Sequence, residues 1–170
     1  IQIDRCKSRN IIQGGDGLGG IAGIIGNSNY EKQSNIYITN CTNEFNINSS
    51  YGYNVGGIAG SISNPININD NPKSILVIEN CNNLGNITVS KDPKSNVKLE
   101  KIGGIVGSIY SGESKVIKCI NEGKIEAEDK IGGIIGYDES HSSDYIICAN
   151  KGKIIGYNNV GEIVGLTNYW

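Results

Sequence analysis

Residues 119–136 read CINEGKIEAEDKIGGIIG, and residues 148–165, starting 29 positions later, read CANKGKIIGYNNVGEIVG. The two stretches align without a gap: Cys on Cys, Asn on Asn, Gly-Lys-Ile on Gly-Lys-Ile, and one apolar-glycine hexad on the other. A period of this length is the mark of a repeat architecture, which governs how any single motif inside it is read. Working outward, the hexad occurs five times: LGGIAG at 18–23, VGGIAG at 55–60, IGGIVG at 102–107, IGGIIG at 131–136 and VGEIVG at 160–165. The Cys segment, C-x-[N/S]-x-x-x-I, also occurs five times, beginning at Cys6, Cys41, Cys81, Cys119 and Cys148. Three residues before each Cys stands Ile3, Ile38, Ile78, Val116 or Tyr145. Cys to glycine doublet spans 13 residues in copies one, four and five, 15 in copy two and 22 in copy three. Insertions at 30–35, 63–74, 90–101, 111–115 and 138–144 are polar and are expected to loop out between coils.

Composition sets the class. There are 24 Gly, no Met, many Asn and Ser, and an apolar content carried by Ile and Val, which favours strands and turns over helices. At 170 residues the chain is the size of one domain. A net charge of −2 with no basic stripe excludes a phosphate-neutralising surface, so nucleic acid is not an expected partner. Apolar runs fall far short of the ~20 residues that span a bilayer, so membrane insertion is not expected. Without Met or a leader-like segment, the sequence reads as a processed or excised piece.

The alternation of I-x-N-C-x-N-x-G-x-I with V-G-G-I-V-G resembles the GLUG repeat of bacterial surface and secreted proteins. These include stalks of adhesins and of immunoglobulin-A-cleaving metallopeptidases, and the resemblance covers essentially the whole chain. It implies a non-catalytic β-solenoid outside the cell and brings no catalytic residues or cofactor with it. Glu162, in place of the second glycine of the fifth hexad, departs from the pattern.

Stacked coils put equivalent residues over one another, about 4.8 Å apart, so each recurring position becomes a ladder. Ile21, Ile58, Ile105, Ile134 and Ile163 are expected to point inward. Strict alternation then turns the next residue, Ala22, Ala59, Val106, Ile135 or Val164, outward on the same face as Glu162. Asn43, Asn83, Asn121 and Asn150, with Ser8 in the first copy, are expected to hydrogen-bond from coil to coil. The glycine two positions later suits a left-handed turn. Cys6, Cys41, Cys81, Cys119 and Cys148 share one slot, without CxxC or Cys/His metal spacing, and read as small core-filling residues. Their odd number leaves at least one free thiol.

Motifs that suggest chemistry weaken against this background. GGDGLGGIAG at 14–23 contains a loose dinucleotide fingerprint, yet its right half is the first of five structural hexads. Asp16 has no counterpart beside the other doublets, as a calcium-binding solenoid would require. His141, with Asp138, Ser140, Ser142 and Asp144, lies on a single insertion and reads as a solvated loop. Asp4, Glu79, Glu126 and Glu128 fall singly, not as the clustered carboxylates of a polysaccharide-active β-helix. Thr39, Thr42, Thr88 and Thr167 share no repeat position, so no ice-binding ladder is expected. Tyr51, Tyr53, Tyr157 and Trp170 are the candidate partner contacts, since exposed aromatics stack on sugars or fill interfaces.

The expectation is one all-β domain over 1–170, a parallel, right-handed β-solenoid of five coils (1–34, 35–74, 75–113, 114–143 and 144–170) with two or three strands each. Its expected role is a structural or interaction module: a stalk, an adhesin segment or an end-to-end filament subunit that meets protein or glycan at the cell surface. A polysaccharide-active enzyme or glycan-binding module is the alternative.

Overall fold

The structure, a computed structural model, describes residues 1–26, 35–50, 52–64, 74–90 and 98–168. Short apolar segments closed by Gly, Asn or Ser cannot satisfy their own backbone groups. They do so by pairing with the equivalent segment one repeat away. Among the described residues twenty-five strands of two to six residues result, sorted into five parallel five-stranded sheets. The chain is an all-β parallel β-solenoid of five coils.

Each coil contributes one strand to every sheet, in chain order. In the fourth coil these are Glu113–Ile117, Ile120–Asn121, Ile125–Glu126, Asp129–Gly132 and Ile135–Asp138. The repeat fixes the register. Ile3, Ile38, Ile78, Val116 and Tyr145 stack in the first sheet. Gly19, Gly56, Gly103, Gly132 and Gly161 stack in the fourth. Five strands per coil, against the two or three expected, follow from corners the sequence marks only faintly.

Two of those corners are columns of left-handed residues. Ten described residues have φ between 47° and 67°, two per coil. Arg5, Asn40, Asn80, Lys118 and Ile147 form one column, each just before the Cys. Gly17, Asn54, Lys101, Lys130 and Asn159 form the other, each just before the apolar residue that leads the hexad. The register passes over this second column, pairing Glu100 with Tyr53 and Ile102 with Val55, so the ladder is interrupted at the same place from the second coil to the fifth.

A third corner corrects the inside-outside reading of the hexad. The chain bends at Gly57–Ile58, between Tyr53–Gly56 and Ala59–Asn64. The bend breaks the alternation, and both Ile58 and Ala59 are buried, as are Ile105 with Val106 and Ile134 with Ile135. There is no outward apolar strip at Ala22, Ala59, Val106, Ile135 and Val164; they pack into the core instead. The glycines of the N-x-G segments, Gly85, Gly123 and Gly152, are corrected too. None has a positive φ; a Cβ on each would strike the carbonyl of the coil before, at Phe45, Gly85 and Gly123.

The interior holds two apolar columns. One combines the Cys slot, the inward residues of the first sheet, the corner pairs such as Ile58–Ala59, and Ile25, Ile62 and Ile109 of the fifth sheet. The other joins the third and fourth sheets through Ile47, Val55, Ile87, Ile102, Ile125 and Ile131. Between them the asparagine column crosses the interior to meet the second glycines of the doublets. A Cβ at Gly20, Gly57, Gly104 or Gly133 would lie 2.5–2.7 Å from the Cγ of Asn43, Asn83, Asn121 or Asn150.

Two polar stretches expected to loop out form strands instead. Glu113–Ile117 and Ser142–Ile146 are the fourth and fifth strands of the first sheet.

Candidate functional site

The repeated side chains interact mainly with their counterparts in neighbouring coils. Asn43 Nδ2 donates to Asn83 Oδ1, Asn83 to Asn121 and Asn121 to Asn150, each at 2.7 Å. The same Nδ2 groups also donate to the carbonyl two residues on, at Phe45, Gly85 and Gly123, at 2.7–2.8 Å. Asn43, Asn83 and Asn121 are fully buried, so these bonds meet the polar demand of amides removed from water.

The five thiols are free. Cys41, Cys81 and Cys119 are buried, while Cys6 and Cys148 at the ends are half-buried. Each donates to the carbonyl two residues back, from 3.2 Å at Cys41 to 3.7 Å at Cys148. Burial pushes the Cys41 thiol up to about 11. In the fifth coil, the adjoining Cys119 thiol draws Cys148 below the usual thiol value.

The aromatic candidates do not come together. Tyr51 and Trp170 lie outside the described residues. Tyr53 faces the Lys101 Nζ, 4.6 Å from its ring centroid, and Tyr137 flanks that ammonium at the same distance. Tyr110 accepts a 2.6 Å hydrogen bond from Lys101, which is only 7% exposed. The group binds the coils to one another by cation–π contact. Tyr157, by contrast, is 84% exposed in the fifth coil.

The stretch from Asp138 to Asp144 also departs from the sequence reading. Asp138 occupies the core column of Ile25, Ile62 and Ile109 and is fully buried. Its carboxylate accepts from Ser140 N at 2.9 Å, Ser140 Oγ at 2.6 Å, Ser143 Oγ at 2.5 Å and the Tyr145 hydroxyl. The loop is therefore folded onto an internal acceptor, and only His141, Ser142 and Asp144 remain exposed. Asp138 is closed off from any substrate by these donors.

What the surface offers is a groove along the rod. Where the third sheet ends, a hollow of about 250 Å³ lies among Gln13, Asn48, Ser49, Ser50 and Ser90. A second, of about 210 Å³, lies among Thr88, Ser90, Glu126, Glu128 and Tyr157. The two share Ser90 as a lining residue, and between them their linings come from all five coils. Gln13, Asn48, Thr88, Glu126 and Ile155 stack in register at its edge, while Ser49, Val89, Leu99 and Ala127 are buried beneath. Each hollow is smaller than the ~300–1,000 Å³ of an enclosed small-molecule site, which favours an extended ligand lying along the axis. Amides and hydroxyls there both donate and accept hydrogen bonds, carboxylates accept them, and Tyr157 offers a stacking face.

Sequence reading had singled out Glu126, Glu128, Thr88 and Tyr157 separately. The signal that joins them was available: the position seven after each Cys is polar in four copies, at Gln13, Asn48, Thr88 and Glu126. Among the described residues no three His, Cys, Asp or Glu side chains gather as a metal set. Among the described residues no helix is long and apolar enough to cross a membrane. Comparison with family models, with curated proteins and with solved structures returns no match.

Proposed function

We propose that the chain is a non-enzymatic structural and interaction module of an extracellular bacterial protein, a rigid stalk or adhesin segment that presents its axial groove to a glycan. One observation carries the reading. The side chains that recur five times face their own counterparts or the backbone of adjoining coils, so the repeats build the rod and the groove is the surface left for a partner. The resemblance to GLUG repeats supports the extracellular setting. The small volume of each hollow and their polar edge with an exposed tyrosine suit a polysaccharide better than a small metabolite.

A glycan array with the purified chain tests this, followed by titration of any hit against Tyr157→Ala. Loss of roughly tenfold in affinity, or about 1.4 kcal/mol, is expected for the lost stacking face. Binding unchanged in Tyr157→Ala, or no binding to any polysaccharide, would sink the glycan reading. Glu126 and Glu128 lining the same hollow favour one second reading, a polysaccharide-active enzyme. Release of reducing ends from the bound glycan would establish it, and binding without turnover would eliminate it.

A further inference from the structure

The cysteines stand in register. Thr42 N, Asn82 N, Ile120 N and Ala149 N donate to the carbonyls of Cys6, Cys41, Cys81 and Cys119 in the coil before, at 2.9–3.0 Å. Their side chains share one direction as well. Each sulfur meets the carbonyl two residues back in its own coil. From the second coil on, each also meets a carbonyl of the coil before: Cys41 that of Ile3, Cys81 that of Ile38, Cys119 that of Ile78 and Cys148 that of Val116, at 3.2–4.0 Å. Side chains that repeat the same two contacts repeat with the coil, so successive Sγ atoms lie ~4.8 Å apart. A disulfide needs them at ~2.05 Å, in keeping with five free thiols. Two metal–thiolate bonds of ~2.3 Å laid end to end, by contrast, span nearly the gap between two rungs.

We propose that the cysteine column is a binding site for a soft monovalent cation, copper(I), held in a line between the sulfurs of two adjacent coils. Ligand number and softness choose the ion. Each gap offers two sulfurs, and among the described residues no three His, Cys, Asp or Glu side chains gather, so zinc would find only half of the four ligands of a closed site. Copper(I) is a soft, closed-shell ion that thiolates select and that two of them satisfy.

The slot keeps sulfur where its surroundings vary. The inward residues beside it on the first sheet run Ile3, Ile38, Ile78, Val116 and Tyr145, and those of the fifth run Ile25, Ile62, Ile109 and Asp138, yet all five rungs are cysteine. Volume alone is served by several residues, whereas an unbroken column of thiols makes every gap a pair of ligands. Ile38, Ile58, Ile78 and Ile105 wall the same column and keep water from it.

An apolar interior penalises net charge, so the ion must enter as a proton leaves. One thiol gives up its proton to solvent, two copper–sulfur bonds form, and the second sulfur keeps its hydrogen on the carbonyl two residues back. One positive charge enters for one that leaves, and no electron is transferred. Each ion occupies two sulfurs, so five thiols hold two ions and leave one over.

Native mass spectrometry of the reduced chain, titrated under nitrogen with copper(I) as its acetonitrile complex or with silver(I) as an air-stable analogue, tests the proposal. Two ions are expected in wild type, with one proton released for each and the circular dichroism of the strands unchanged. X-ray absorption should find two sulfurs at ~2.3 Å from the metal, and zinc should not bind. The decisive variants leave equal numbers of thiols. Cys81→Ala keeps the pairs Cys6–Cys41 and Cys119–Cys148 and should still hold two ions. Cys41→Ala isolates Cys6 and should hold one. Cys41→Ala/Cys119→Ala leaves three thiols with no adjacent pair and should hold none; the single variants carry the test if this double variant loses its strands. Equal uptake by Cys41→Ala and Cys81→Ala, no uptake by wild type, or uptake only as the strands are lost would each overturn the proposal.

Discussion

At the scale of single residues, Ile147 is the most poorly matched to its place. It holds a φ of 54° and is 73% exposed, so it carries the strain of the left-handed region without the compensation of burial. For an L-residue that region costs roughly 1–2 kcal/mol, with β-branched side chains at the upper end, while asparagine tolerates it. Ile147→Asn is therefore expected to stabilise the chain by about 1 kcal/mol in urea denaturation. Ile146→Asn, one residue away and outside the left-handed column, is expected to give no such gain, and equal effects at the two positions would refute the strain argument. The same column shows where sequence reading reaches its limit. Asn40 and Asn80 signal a left-handed residue before the Cys, but nothing in Arg5, Lys118 or Ile147 does. Those three are held there by the register of the neighbouring coils, through bonds such as Lys118 N to Ile146 O at 2.8 Å. Asp138 escaped for a related reason: its donors Ser140 and Ser143 read as insertion residues and Tyr145 as a ladder position until the fold closes them around it.

At the scale of elements, a strand of two to six residues is stable here only as one rung of a sheet. Register is therefore a property of the column and not of the strand. The hexad and the Cys-Asn segment were legible because both recur at fixed spacing, and they locate all five coils. The corner at the glycine doublet was not legible, because a run such as VGGIAG reads equally as an extended strand, and only the bend at Gly57–Ile58 turns both Ile58 and Ala59 inward. The doublet makes a sharp test of this account. Gly104→Ala places a Cβ against the Gly133 carbonyl and 2.6 Å from Asn121 Cγ, inside the buried asparagine column. Relief requires the two coils to separate, and a loss of about 3 kcal/mol is expected. An unconstrained Gly→Ala change would instead stabilise by about 0.4–1 kcal/mol through the unfolded chain. A neutral or stabilising Gly104→Ala in thermal or urea unfolding would mean that the coils are not packed as closely as the column requires.

At the scale of the whole molecule, each coil packs mainly against its neighbours, so opening is expected to begin at the ends and move inward. The Cys column places one thiol in every coil and reports on this directly. Alkylation of the native chain followed by mass spectrometry should modify Cys148 first and Cys6 next, as both are half-buried, with Cys41, Cys81 and Cys119 following only when the stack opens. The pH dependence adds a second check. With Cys148 drawn below the usual thiol value, its modification should climb and level off at lower pH than that of a thiol in the unfolded chain, as the thiolate saturates. For Cys41 the sign is reversed. Its folded thiol holds the proton up to about 11, whereas in the unfolded chain it is released near the usual 9.0. Its contribution to stability is complete below pH 9 and is lost as pH rises toward 11, so urea midpoints should fall across that window. Cys41→Ala should flatten the fall while lowering stability at neutral pH, since it leaves a small void in the core. Simultaneous modification of all five thiols, or an alkaline decline unchanged in Cys41→Ala, would show that the rod opens as one unit and not coil by coil, or that the decline arises elsewhere in the chain.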